Sequence, residues 1–225
     1  MSDLTPHWHD FFEFNLGKIP LRKALITRFL MEDRGYVFEE PRGEIVILLL
    51  SGGLDSVALI DLVINAWDVR VIPLFFNRNQ KNLVHEKASV EFFYDFYRER
   101  YPSNMLELVE LEIEIPSRTN KKFLDRTRQH YFGLPMRNAT MWNNAVAQAV
   151  YLSGKYGEQI RTILVGSVVE DSGLPESDHL SILSQTLHTM ICTGIMYMQF
   201  GAPLIDDTIK ENLSLIHISE PTRPY

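Results

Sequence analysis

A chain of 225 residues is long enough for one sizeable core, or a core plus an appendage. Its 45% hydrophobic and 23% charged content suit a soluble globular protein, and a net charge of -7 excludes a protein whose main task is gripping duplex phosphate with a broad basic face. A single cysteine, Cys192, excludes an internal disulfide and any cysteine-built zinc cluster within these residues, and suits a reducing, cytoplasmic setting.

Residues 1–43 read as an N-terminal appendage, with one predicted helix over 20–31. Trp8, Phe11, Phe12, Phe14 and Leu30 need burial, so this segment is expected to pack on the core. Asp3, Asp10 and Glu13 stand where a signal peptide would be basic and then apolar. A strand over 44–50 follows. Its apolar run of 45–50 is strand-sized, far short of a membrane span, and suits a strand buried on both faces. Beyond it come a buried helix (54–66), a strand (69–76) and an aromatic-rich helix (84–101) that Pro102 stops. The aromatics of 92–97 read as core packing. A third strand (105–115), a helix (138–156) closed by Gly157, a fourth strand (161–165) and a last helix (176–195) complete residues 44–212. Strands alternating with helices imply parallel pairing through right-handed crossovers, hence an α/β, doubly wound sheet. Ligands then sit at the carboxyl ends of strands, near residues 51–56, 76–83, 116–137 and 166–175.

Residues 213–225 resemble the translation of a transposon-based sequencing adapter. They are expected to be a non-native tail, with the genuine C-terminal part missing beyond Asn212.

Ser51-Gly52-Gly53-Leu54-Asp55-Ser56 stands between the first strand and the first helix. Two glycines let the backbone turn tightly and bring bare N–H groups toward an anion. The helix starting near Leu54 aims its positive dipole end at the same spot. Ser51 and Ser56 add hydroxyl donors, and Asp55 can hold Mg2+ or cap the helix. A strand-to-helix turn needs glycine and serine for purely structural reasons too. The string is neither the lysine-bearing G-x-x-x-x-G-K-S/T loop nor the G-x-G-x-x-G fingerprint.

The whole string S-G-G-x-D-S resembles the signature of the PP-loop ATP pyrophosphatases, which cleave ATP to AMP and pyrophosphate and share the adenine nucleotide alpha hydrolase-like fold. Further segments resemble the 7-cyano-7-deazaguanine synthases of queuosine biosynthesis. They are Phe75 to Asn82 with Gln80, followed by Glu86; Pro135, Arg137 and Asn138 opening a helix; Gly166, Glu170, Ser172, Gly173 and Pro175 after the fourth strand; and Ala202-Pro203-Leu204-Ile205 with Lys210. The resemblance covers about residues 44–212. It departs at the Tyr-Gly-Gln-Arg-His element, largely replaced here, and at the family's four-cysteine zinc site, which would lie beyond Asn212. Zinc is therefore expected only in a missing C-terminal segment.

The resemblance implies a carbon–nitrogen ligase that uses ATP and Mg2+. It would adenylate a carboxylate like that of 7-carboxy-7-deazaguanine and join it to ammonia as amide or nitrile. The alternatives are a defence-associated enzyme that transfers a deazaguanine to a protein, and a nucleotide-binding module without turnover. The implied site comprises Ser51, Gly52, Gly53, Leu54, Asp55, Ser56 and Gly166 for ATP, with Asp55 the metal ligand and Asp55, Ser56 and Arg137 catalytic. Arg137 suits either the α-phosphate or the acyl carboxylate. Asn138 reads as a helix N-cap or a ligand contact. Glu170 and Asp171 suit a guanine-like edge or a metal, or form a solvated acidic loop. The expected partners are a small-molecule substrate and ammonia, with no membrane and no strong nucleic-acid signal. A homodimer is left open. His7 and His9 read as surface histidines. His188 and Cys192, four apart on a helix, have the spacing of a metal pair, but a core thiol is the simpler reading.

Overall fold

The computed structural model of the protein describes residues 19–115, 123, 133–168 and 176–205. The expectations placed on His7, His9, Glu170, Asp171, Lys210 and the 213–225 tail lie outside the described residues.

In chain order the elements are α1 (Ile19–Arg34), β1 (Ile45–Leu49), α2 (Leu54–Trp67), β2 (Arg70–Asn77), α3 (Leu83–Arg100), β3 (Val109–Glu112), α4 (Arg137–Tyr156), β4 (Thr162–Leu164), α5 (His179–Thr193) and β5 (Gln199–Gly201). The strands form one five-stranded sheet, ordered β3-β2-β1-β4-β5. Every pairing is parallel: Val46 stands opposite Val71 on one side and Thr162 on the other. The α/β, doubly wound expectation is met.

β1 shows why the sheet has helices on both faces. Val46, Leu48 and Leu50 pack with Val57, Leu59, Ile60 and Val63 of α2 and with Val90, Phe93 and Tyr97 of α3. Ile45 and Ile47 point the other way, against Ala145, Val146 and Ala149 of α4 and Ile182 of α5. A strand sandwiched in this manner has no polar face, hence its unbroken apolar run. Each fully buried Leu or Ile contributes roughly 1.5–3 kcal/mol. The aromatic run on α3 is core on one face only: Phe93 and Tyr97 are buried, while Phe92 is half exposed.

The third strand is shorter than 105–115. Only Val109–Glu112 ladder with β2, and Met105 touches Val71 by an isolated bridge. The last helix begins at His179 rather than 176, because Asp178 is its N-cap and accepts from the Ser181 N–H at 2.8 Å. α1 lies against α5 through Leu30, which contacts Leu183 and Met190. Below it, Arg34 donates to the carbonyls of Tyr36 (3.0 Å), Met198 (2.9 Å) and Val37. Arg161 ties the lead-in to β1 onto β4 by ion pairs with Glu39 and Glu44.

Candidate functional site

The chain runs from β1 outward to β3, then returns to place β4 on the other side of β1. The carboxyl ends of β1 and β4 therefore border the crevice where a doubly wound sheet takes its ligand. Residues 51–56 leave the end of β1 at this crevice, just after the Leu50 N–H makes a last sheet bond to the Leu74 carbonyl (2.9 Å).

The loop is held from two sides. Gly52 has a left-handed φ of 74°, and a Cβ there would lie 2.8 Å from the Glu86 carbonyl oxygen. Ser89 of α3 donates its hydroxyl to the Gly52 carbonyl at 2.7 Å. From the other side, a Cβ on Gly166 would stand 2.9 Å from both N and Cα of Ser56 and 3.2 Å from the Asp55 carbonyl carbon. The chain leaving β4 thus lies directly against the first turn of α2.

Inside the loop the hydroxyls close a ring. Ser56 donates to the Gly53 carbonyl (3.0 Å), so its oxygen receives the Ser51 hydroxyl (3.1 Å), whose own oxygen receives the Gly53 N–H (3.3 Å). The Ser51 N–H also donates to Ser56 Oγ at 3.2 Å. Ser56 is buried. These hydroxyls shape the loop, and donors for an anion fall to the backbone. Gly53 is the N-cap of α2 and, as a glycine, offers no side-chain cap of its own, while the first-turn N–H groups of a helix have no acceptor one turn back within it. Asp55 and Leu54 occupy that first turn, both half-buried.

A basic rim borders the loop on the β2 side. Arg78 follows the last residue of β2, and its guanidinium comes within 3.8 Å of the Glu86 carboxylate. Gln80 brackets the pair, accepting from the Arg78 N–H (2.8 Å) and donating to Glu86. Burial pulls the Arg78 pKa below its ordinary value; Glu86 opposes this and the positive charge of Arg137 adds to it.

Asn138 is not the cap of α4. The N-cap is Met136, in a left-handed conformation (φ 58°). Asn138 instead ties α4 to the turn before α5: its N–H donates to the Glu176 carboxylate (3.0 Å), and its amide donates to the Glu176 carbonyl (2.8 Å) and Ser177 Oγ (3.2 Å). Its remaining oxygen accepts from Arg137 Nε at 3.0 Å. The buried amide positions Arg137. Arg78, Glu86 and Ser89 are site neighbours that the motif string does not contain. For the first two, a charged residue just past a strand's carboxyl end and a carboxylate opening the next helix were the available signals; Ser89 had none.

The core-thiol reading of Cys192 is overturned. Its stripe on α5 faces away from the sheet, so the thiol is exposed, 3.6 Å from His188 Nδ1 beside a groove of about 350 Å³ between α4 and α5. Among the described residues no group of three or more His, Cys, Asp or Glu side chains could hold a metal by itself. No described helix is long and apolar enough to cross a membrane.

No protein-family model and no curated protein matches the chain. Solved structures similar to it include PH1313 from Pyrococcus horikoshii Ot3, at 16% identity and a TM-score of 0.41, covering 77% of this chain and 41% of that one. Another is the U34-tRNA thiolase NcsA from Methanococcus maripaludis with its 4Fe-4S cluster, at 11% identity and 0.40, covering 92% and 67%. A third is the NH3-dependent NAD synthetase from Campylobacter jejuni in complex with the nitrate ion, at 12% identity and 0.30, covering 92% and 99%. The chain thus spans less than half the length of PH1313. At these identities and scores none of the likenesses carries a function to this chain.

Proposed function

We propose that the protein is an ATP-using enzyme of the PP-loop class, a carbon–nitrogen ligase that adenylates the carboxylate of a 7-carboxy-7-deazaguanine-like acid and passes the acyl group to ammonia. The observation that carries this reading is the S-G-G-L-D-S loop, closed on itself by its serines and lodged at the crevice between β1 and β4 with Gly166 against its helix.

In the first step a carboxylate oxygen attacks the α-phosphorus of ATP. The bond to the α–β bridging oxygen breaks, and pyrophosphate leaves with that electron pair. The first-turn N–H groups of α2 and the positive end of its dipole take up the charge growing on the bridging oxygen. Ammonia then attacks the acyl carbon and AMP departs, leaving the amide; a second adenylation, on the amide oxygen, gives the nitrile. Mg2+ fits this loop: one hard carboxylate, Asp55, stands in the first turn, and phosphate oxygens and water complete the usual ligand set. Asp55 would hold the ion, which when bound adds positive charge beside the leaving pyrophosphate. Ser51 and Ser56 keep the loop closed, and Gly166 admits its helix. Arg137 receives an anionic oxygen, held in place by Asn138. Glu170 and Asp171 are assigned to the heterocycle edge.

The test is ATP–pyrophosphate exchange by the purified chain with a heterocyclic acid. Asp55→Ala should reduce exchange by at least about a hundredfold, with the thermal melt unchanged. Undiminished exchange in that variant would remove the role given to the loop.

A further inference from the structure

Two consecutive glycines stand in the loop of residues 51–56, and the peptide between them is the part that the chain itself leaves freest. Gly52 is already at a left-handed φ of 74°. Turning the Gly52–Gly53 peptide over would swing the Gly53 φ from -78° to about +100°, a value that glycine accepts and other residues resist. A trans peptide aims its carbonyl and its N–H in opposite directions. One side of it attracts a phosphate and the other repels it, so the anion affinity of the loop depends on which way this peptide lies.

The peptide is held from outside the loop. Ser89 on α3 donates to the Gly52 carbonyl at 2.7 Å, so that carbonyl faces α3, while the Gly53 N–H turns the other way, toward Ser51 Oγ at 3.3 Å. A hydroxyl inside a helix often returns to the carbonyl four residues back. Thr140, Ser153, Thr186 and Thr193 do so in α4 and α5. Ser89 sends its proton out of its helix instead. It is also closely seated: a Cβ on Gly52 would lie 3.0 Å from the Ser89 Cβ, 3.2 Å from its Oγ and 2.8 Å from the Glu86 carbonyl oxygen. α3 therefore lies directly on the Gly52 backbone.

We infer that Ser89 is a positioning residue for nucleotide phosphate, whose hydroxyl fixes the Gly52–Gly53 peptide with its carbonyl turned away from the phosphate and its N–H toward it. The inference rests on the ATP-binding reading of the loop and adds to it a residue outside the S-G-G-L-D-S string. Without the hydroxyl the peptide exchanges between two orientations, and in one of them a carbonyl oxygen meets the incoming anion. Affinity then falls in proportion to the fraction of molecules still correctly turned.

The experiment pairs titration calorimetry with α,β-methylene ATP, a non-cleavable analogue, and nitrogen-15 relaxation dispersion at the amide of residue 53, both on the full chain. Ser89→Ala should weaken the analogue roughly fivefold. The amide of residue 53, quiet in the wild type, should then broaden through microsecond-to-millisecond exchange. Ser89→Thr keeps the hydroxyl and should recover the affinity to within about twofold of wild type. Gly53→Ala adds a Cβ that resists positive φ, so combining it with Ser89→Ala should quench the exchange. A hydroxyl that only fastens α3 to the loop predicts something else: Ser89→Ala lowers the melting temperature, with affinity and amide unchanged. That result overturns the positioning role, as does a Thr variant as weak as Ser89→Ala, or exchange that persists in the double variant. If Ser89→Ala does not fold, Ser89→Cys, a weaker donor of similar shape, takes its place and the same readings decide. A wild type that does not bind the analogue removes the ATP reading and the phosphate ligand with it. Exchange appearing in Ser89→Ala would then leave the hold on the peptide standing, whereas a quiet amide removes both.

Discussion

A hydroxyl has one proton to give, and the proton of Ser56 goes to the Gly53 carbonyl. Ser56→Ala would leave the Ser51 N–H and the Ser51 hydroxyl without this partner, and the Gly53 carbonyl with the Val57 N–H alone. It should cost about 1–3 kcal/mol in urea unfolding as well as exchange activity, whereas Ser51→Ala keeps two of these bonds and should cost less. A string of letters names both serines but not the direction of their bonds, because direction depends on where the chain folds back. Gly166 is a parallel case. In sequence it is only a glycine after a strand; in space its Cβ would strike backbone atoms, which cannot rotate aside. Gly166→Ala should therefore destabilise by about 1–3 kcal/mol and depress exchange. Gly53→Ala should be tolerated far better, since its φ is -78° and its nearest neighbour is the Ser51 hydroxyl at 3.3 Å.

The helices could be read within a few residues because caps and periodicity act locally, and β1 and β2 because burial on both faces leaves an apolar run. β5 could not. Gln199-Phe200-Gly201 has too few residues for a pattern, and it begins with an amide that is fully buried. That amide is tolerated because each of its groups meets a partner from elsewhere in the chain. It donates to Thr162 Oγ1 (2.8 Å) and the Glu39 carbonyl (2.7 Å), and accepts from the Glu39 N–H (3.0 Å). Gln199→Leu is close in size but orphans all three, so a loss of about 1–3 kcal/mol in a thermal melt is expected despite the gain in apolar character.

At the scale of the molecule, alternating strands and helices announced a parallel sheet but not its order, because order is settled by which strand finds β1 from far along the chain. The same holds for α1, whose hold on the rest comes from Leu30 and from the Arg34 guanidinium reaching the carbonyls of residues 36, 37 and 198. Arg34→Ala should speed amide exchange in residues 19–37 while the amides of β1 and β2 stay protected. Equal acceleration throughout would mean that α1 and the sheet unfold as one unit.

The position of Gly166 also bears on timing. β1 meets β2 soon after both are made, but its other edge waits for Thr162 and the residues around it. Pairings between distant segments form slowly, since the intervening chain must first give up its freedom. A nascent or refolding chain therefore carries the loop of residues 51–56 early and lacks its seat until β4 docks. During refolding, far-ultraviolet circular dichroism should recover before affinity for α,β-methylene ATP does, leaving an interval in which the chain is largely folded but still blind to nucleotide.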